Sequence, residues 1–483
     1  MFVLVWPVSL WLHTSWHALH LHGDSSYPES AIAYNSELAA QDGHLYRSWH
    51  NPPFTPAPYG PIYYSTLALL AKYLSLDHLR LLMAGRIGSF LAFLGTLFML
   101  FRLARRFGLP VFFAALHDIS PWNATVRPDF PALFFTLVGF LICSKESATV
   151  QDAMVGGICF AVSLMMKQSF LVAPAVVFLM WLIHKEFKLL SAYSVSIAAV
   201  VGLSLAVPWL NNDSIFSNIL TTGQGLIDFH IAFSSLFESE VSTGIHFPLL
   251  VCTMVGVMVG IKKSTGWPLL VYLFVVWFLG IFTWIRILGS NINVFLEAWA
   301  VSVVFAALGM QYLFKKFRFL APSVLVLALL LFSVSPGSGL NAIYVQKMKE
   351  MPELSCIESI VPHYRLLSDD SYLEAISASP MVLDAFANNQ LEVNGVWDSS
   401  PVTQMVHAHQ YDMVIFTVEG RWIRRYRETP FMGLPVLRAI NTEYDLVCHL
   451  PKFPGFSTLA VWLPKGGHRD RELFGKLQSI GCR

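Results

Sequence analysis

Long apolar runs alternate with short clusters of charge along most of this chain. A helix needs about 20 apolar residues to span a bilayer, and shorter ones serve inside a bundle. On that measure the pattern predicts about eleven membrane helices, near Phe2–His20, Leu79–Leu103, Pro110–Trp122, Phe130–Cys143, Ala153–Met166, Phe170–Ile183, Leu189–Trp209, His246–Ile261, Trp267–Ile287, Asn293–Phe314 and Phe319–Val334. Met1 to Leu21 has neither a basic n-region nor a small-residue cleavage site, so it is expected to remain as a helix rather than leave as a signal peptide. Between the first two runs, Pro28–Gln41 has helical spacing, and Pro61–Leu74 is apolar and aromatic with Lys72 as its one charge. Both are expected to be short helices at the membrane interface. From about Ser335 the apolar runs shorten and charges intersperse. There VIFTV and LAVWL alternate like strands and SYLEAIS reads as helix, which predicts a small α/β domain. The expected organisation is therefore a membrane domain over 1–335, with a first long loop at 21–77, and a soluble domain over 336–483.

Composition sharpens this reading. The 483 residues are 55% hydrophobic and 13% charged, with a mean hydropathy of +0.55, outside the range of soluble domains. A net charge of +1 without basic blocks excludes a nucleic-acid partner. The positions of the charges are informative. Arg102, Arg105 and Arg106, then Lys145, Lys185 and Lys188, Lys262 and Lys263, and Lys315, Lys316 and Arg318 all follow even-numbered helices. They fall on one side, which the positive-inside rule assigns to the cytoplasm. The N-terminus is then cytoplasmic, while the first long loop, the 211–245 loop and the C-terminal domain are extracytoplasmic.

Six cysteines make neither a disulfide framework nor a zinc spacing. Cys143, Cys159 and Cys252 lie in apolar runs as packing residues; Cys356, Cys448 and Cys482 lie in the tail, where an oxidising compartment allows one disulfide. His13, His17 and His20 share a helical face, and rings at the interface outweigh a metal site there. Asn123 and Asn212 begin N-x-S/T triplets, a short pattern that arises by chance. Asp369, Asp370 and Asp384 have no His or metal spacing beside them and are expected to be solvated.

Ionisable groups at membrane depth are costly and mark functional sites. Glu29, Arg127 with Asp129, Lys167 and Glu297 all fall at the extracytoplasmic ends of the segments. A carboxylate can take a proton from an attacking hydroxyl, and Arg and Lys can hold a phosphate leaving group. Each also has a structural reading: Arg127 and Asp129 as a pair at a helix start, Lys167 snorkelling, and Glu297 accepting from backbone or Asn293.

Several stretches, YPESAIAYNSELAAQDGHLY, NPPFTPAPYGPIYYSTLALL, LRLLMAGRIGSF, VRPDFPALFFTLVGFL, MMKQSFLVAPA and GSNINVFLEAWA, resemble in their order the polytopic glycosyltransferases of the GT-C superfamily. The likeness is to the bacterial relatives of protein O-mannosyltransferases and lipid A aminoarabinose transferases. This resemblance implies a polyprenyl-phosphate-linked sugar donor, transfer with inversion to a glycan, lipid or protein acceptor, and a bacterial inner-membrane location. It implies Glu29 as the catalytic carboxylate, with Asp24 its neighbour and competitor, and Arg127 and Lys167 on the donor phosphate. Tyr46, Tyr59 and Tyr63 would shape the sugar pocket, and Asn291 and Asn293 would reach sugar hydroxyls or cap a helix. Some relatives use a divalent cation and others do not, and the sequence leaves that open. Two other classes remain: a polytopic lipid or polysaccharide transporter, against which stand nearly charge-free helix middles, Arg86 excepted, and an inactive scaffold of an envelope-polymer assembly.

Overall fold

The computed structural model describes residues 12–13, 15–24, 29–48, 50–104, 123–145, 147–211, 213–221, 246–262, 267–286, 292–317, 357–379, 382–418, 433–453, 457–466, 471–480 and 482. The expected helices at Pro110–Trp122 and Phe319–Val334, Asn212 and Asn291, and the expected domain boundary near 335 lie outside these residues.

In the first long loop the chain forms α1 (Glu29–Asp42) and α2 (Pro61–Leu74). Then follow α3 (His78–Ala104), α4 (Asp129–Cys143), α5 (Val150–Met166), α6 (Val172–Ile183), α7 (Phe187–Leu210), the short α8 (Ile215–Thr221), α9 (His246–Lys262) and α10 (Trp267–Arg286). A 3-10 turn at Ile292–Phe295 leads into α11 (Leu296–Lys316). Among the described residues, three helices are long and apolar enough to cross a membrane: His78–Ala104, Phe187–Leu210 and Asn293–Leu313. Asp129–Cys143, Val150–Met166, Val172–Ile183, Val251–Ile261 and Trp267–Thr283 are shorter apolar helices. Local chemistry sets several ends. Thr149 and Asp152 form a reciprocal capping box at the start of α5, satisfying two amide donors that would otherwise be orphaned. Pro61 occupies the first turn of α2, where its missing N–H costs nothing.

Close packing inside the bundle depends on small residues. Gly256 on α9 and Gly309 on α11 face each other's backbones, and a Cβ on either would run into the carbonyl of Phe305 or Cys252. Such pairs let apolar helices approach within contact distance. Cys143 is buried, and Cys159 and Cys252 are half-buried; all three are free thiols.

The two loop helices differ in what covers them. The outer face of α2 exposes Leu69, Tyr73 and Leu74, as an interfacial helix should. In α1, Glu29 through Ser36 are all buried, because it is layered between the membrane helices and the C-terminal domain. That domain contains β1 (Leu366–Ser368), α12 (Ser371–Ala375), α13 (Ala385–Val393), α14 (Ser400–His407), β2 (Met413–Val418), α15 (Leu434–Glu443), β3 (Tyr444–Phe453), β4 (Ser457–Pro464) and α16 (Arg471–Ser479). Its four-stranded sheet has the order β1-β2-β4-β3, with β1 parallel to β2 and the other neighbours antiparallel. Cys448 and Cys482 form a disulfide buried in the core that the domain shares with the bundle.

The tail aspartates depart from expectation. Asp370 and Asp384 cap α12 and α13 through their side chains, and Asp384 is buried rather than solvated. The signal for this is their place just before a helix, where Asp is a preferred cap. Burial pushes the Asp384 carboxyl up to about 7, and buried Glu374 is raised well above its ordinary value for the same reason. The folded tail therefore binds protons that the unfolded chain, with Asp near 3.8, has released. This contribution is complete below the unfolded value and is lost as pH rises toward 7. Unfolding of the tail, followed by hydrogen exchange in the sheet, is expected at milder denaturant at pH 8 than at pH 5. Asp384→Asn, which keeps a good cap, should flatten part of that difference; an unaltered pH slope would contradict this role.

Candidate active site

The buried side chain of Arg86, in the third turn of α3, organises the loop end of the bundle. Its Nη2 donates to Glu29 Oε2 at 2.9 Å and its Nε to Oε1 at 3.3 Å. The same guanidinium reaches the carbonyls of Leu21 at 2.5 Å and Gly23 at 2.6 Å. Glu29 Oε1 also accepts from the Val126 N–H at 2.6 Å. Both side chains are fully inaccessible. A buried ion pair is tolerated when hydrogen bonds satisfy its remaining valences, and here they fasten three pieces of chain together. The lone charge in MAGRIGSF was the available sequence signal, but its partner lies 57 positions away.

Glu29, the expected catalytic carboxylate, is completely buried. Its oxygens are engaged by Arg86 and Val126, and no solvent-facing edge remains. Asp24, a half-buried residue, lies beside it. Asp24 Oδ1 accepts from the Ser30 N–H at 2.9 Å and the Ser30 hydroxyl at 2.5 Å, at the start of α1, where the helix favours an anion. Its carboxyl is raised well above the usual range by burial first, then by the Glu29 and Asp370 carboxylates. The C-terminal domain adds to this wall: the Cβ direction of Gly23 meets the Tyr372 ring at 3.5 Å, and His22 pairs with Glu358 at 3.6 Å.

From Val126 the chain passes directly into the second cluster. Asp129, in the first turn of α4, receives Lys167 Nζ at 2.5 Å and Asn293 Nδ2 at 3.0 Å on Oδ1, and Arg127 Nε approaches Oδ2 at 3.3 Å. Arg127 Nη2 also donates to the Tyr59 hydroxyl at 3.4 Å, while Ser89, one turn beyond Arg86, donates to the Arg127 carbonyl at 3.2 Å. Lys167 ends α5 in an extended conformation, and its ammonium lies 5.9 Å from the Phe170 ring centroid. Arg127 and Lys167 keep some accessibility, 11% and 14%, against 1% for Asp129. Two cations held by one carboxylate carry a single net positive charge.

The remaining expected residues surround this network. Glu297 lies within electrostatic reach of Lys167, but its Oε1 accepts from the Tyr272 hydroxyl at 2.7 Å rather than from Asn293. Tyr46 is buried, and its hydroxyl donates to the Tyr59 carbonyl at 2.7 Å; Tyr63 is buried as well. Both support the site from beneath, leaving half-buried Tyr59 as the ring at its edge. Asn123 is buried and donates to Ser15 Oγ at 2.9 Å, so its triplet is not displayed for glycosylation. His13 and His17 stack edge to face at 4.2 Å, and no cluster of three His, Cys, Asp or Glu with metal-holding geometry occurs among the described residues.

Neither a sequence-family model nor a curated protein matches the chain. Solved structures do match. ArnT from Cupriavidus metallidurans in the apo state superposes with a TM-score of 0.59 at 11% identity, covering 95% of this chain and 97% of that one. The same protein bound to undecaprenyl phosphate gives 0.56 at 9% identity, with 97% and 99% covered. This chain has the GT-C fold. Because both chains are matched almost end to end, the GT-C fold here includes the C-terminal domain as well as the helices. Identity this low carries the architecture and not the residues, so the chemistry rests on the clusters described above.

Proposed function

We propose that the protein is a glycosyltransferase that moves a sugar from a polyprenyl-phosphate donor to an acceptor hydroxyl, with inversion. The observation that carries this reading is the continuity of the site. One short segment, Val126 to Asp129, touches the buried Glu29 pair at one end and the Arg127–Asp129–Lys167 cluster at the other. A carboxylate and a pair of cations are thereby held on a common wall within a GT-C fold, the fold of a protein solved with undecaprenyl phosphate.

In this reading Arg127 and Lys167 hold the donor phosphate. A sugar–phosphate–lipid diester carries one negative charge, which the net charge of the cluster balances. As the bond from the anomeric carbon to the phosphate oxygen breaks, a second negative charge develops on the departing lipid phosphate, and both cations strengthen their hold on it. On the opposite face the acceptor oxygen attacks the same carbon and its proton passes to a carboxylate. Asp24 fits that task better than Glu29, since it is half-buried where Glu29 is sealed. Glu29 and Arg86 then position Asp24 by fixing Leu21 and Gly23. Tyr59 borders the sugar site, and Asn293 steadies Asp129. The charge distribution of the sequence supports an orientation with the site and tail extracytoplasmic, and the reading places the protein in a bacterial inner membrane. The acceptor class is a glycan, lipid or protein of that compartment.

The test is binding of undecaprenyl phosphate to the purified full chain in nanodiscs. Replacement of either Arg127 or Lys167 by Met is expected to weaken binding about 10- to 100-fold, as loss of a charge-assisted contact does. Equal affinity in the wild type and both variants would remove the phosphate role from this cluster.

A further inference from the structure

Residues 54–60, FTPAPYG, cross from the C-terminal domain to the phosphate cluster, and contacts pin this segment at nearly every position. Phe54 is completely buried in the second core of the C-terminal domain, among Leu367, Leu383, Trp397 and Tyr411. Its ring meets Trp397 edge to face at 5.6 Å. Its N–H donates to the Val382 carbonyl at 2.6 Å, and its carbonyl accepts from the Asp384 N–H at 3.2 Å, so this one residue of the first loop pairs with Leu383 as a parallel bridge.

The next residues form no helix or strand, and Thr55 and Ala57, each before a proline, favour extended backbone angles. The Thr55 hydroxyl donates to Asn35 Oδ1 at 2.9 Å, and the Ala57 N–H to Asn218 Oδ1 at 2.8 Å. At the far end the Pro58 carbonyl accepts from Gln168 Nε2 at 2.7 Å, next to Lys167. The Tyr59 hydroxyl meets Arg127, and the Gly60 N–H donates to the Met166 carbonyl at 3.1 Å. A Cβ at Gly60 would collide with the Met165 carbonyl, so the segment lies tight against the end of α5. Pro56 and Pro58 fix their backbone angles, and an extended Pro-rich stretch is a semi-rigid spacer that transmits displacement instead of absorbing it.

We propose that this segment is a stiff strap through which docking of the C-terminal domain sets the position of Tyr59 and the Arg127–Lys167 cluster, with Phe54 as the positioning residue. The inference deepens the proposed function by giving the C-terminal domain a part in phosphate binding. Phe54 touches no reacting group; it acts through the strap.

Two measurements on the full chain in nanodiscs test this. The first is amide hydrogen exchange at Gly60 and at residues 166–168, which requires no assumption about function. The second is affinity for undecaprenyl phosphate. Phe54→Ala is expected to speed exchange at Gly60 and weaken binding about tenfold, a typical size for coupling through packed intermediates, while Phe54→Leu restores most of both. A Gly-Gly insertion between Pro56 and Ala57 leaves Phe54 seated and the domain core intact, and it is expected to reproduce both effects. Gly60 protection and affinity that stay at wild-type levels in the insertion variant would overturn the strap. A wild type that fails to bind undecaprenyl phosphate would instead overturn the proposed function, with the exchange measurement still deciding the strap.

Discussion

Arg86→Met is expected to destabilise the protein by about 3–5 kcal/mol, the usual consequence of stripping one partner from a buried ion pair. The variant leaves the Glu29 carboxylate sealed without its guanidinium and the carbonyls of Leu21 and Gly23 without a donor. Glu29→Gln should also destabilise, because the buried guanidinium loses its counter-charge. The double variant Glu29→Leu/Arg86→Met should recover part of the loss, since replacing both partners with apolar groups removes the uncompensated charge. Thermal unfolding of the detergent-solubilised chain measures all three. Additive losses in the double variant would mean that the two side chains do not act as a pair. The comparison also bears on function: a low turnover in Glu29→Gln that tracks its lowered stability marks Glu29 as an anchor.

Asp24→Asn is expected to do the opposite, leaving stability close to wild type while turnover falls about 10²- to 10⁴-fold, the range for loss of a general base. Asn retains the oxygen that accepts from Ser30 and is a comparable cap for α1. Undecaprenyl phosphate affinity should be unchanged, because Arg127 and Lys167 are intact. The pH profile supplies a second readout. Burial and the neighbouring Glu29 and Asp370 carboxylates raise the Asp24 carboxyl, so the ionised, proton-accepting form accumulates only as pH climbs through that raised value. Wild-type turnover should therefore rise with pH, and Asp370→Asn, which removes one of the two negative neighbours, should move the rise to lower pH. A profile that Asp370→Asn leaves in place would separate Asp24 from the titrating group.

Among the described residues, the helices of the membrane part were legible because they depend on runs of one kind of residue. The expected Leu79–Leu103 and Leu189–Trp209 helices are found at His78–Ala104 and Phe187–Leu210, and Pro61–Leu74 is helical between those same residues. The site was legible as an inventory. Arg127, Asp129, Lys167 and Asn293 do meet, since polar groups at the ends of apolar helices have few other places to satisfy their bonds. What could not be read were the pairings across long separations. Nothing local marks Glu29 as the partner of Arg86, and nothing in NPPFTPAPYG shows that Phe54 leaves its own loop to enter the core of another domain. The burial of Asp384 was hidden for the same reason: a cap residue looks alike in sequence whether solvent or a second layer covers it.

Sugar transfer from a lipid phosphate at the wall formed by Asp24, Arg127 and Lys167 would release the polyprenyl phosphate. The most direct measurement supplies the purified full chain in nanodiscs with a panel of polyprenyl-phosphate sugars and a membrane extract as acceptor, and quantifies the polyprenyl phosphate released. Release is expected with at least one donor from the wild type, and near-background release from Asp24→Asn with lipid-phosphate binding preserved. Release by Asp24→Asn at the wild-type rate, or transbilayer movement of intact donor by the wild type without release, would contradict it.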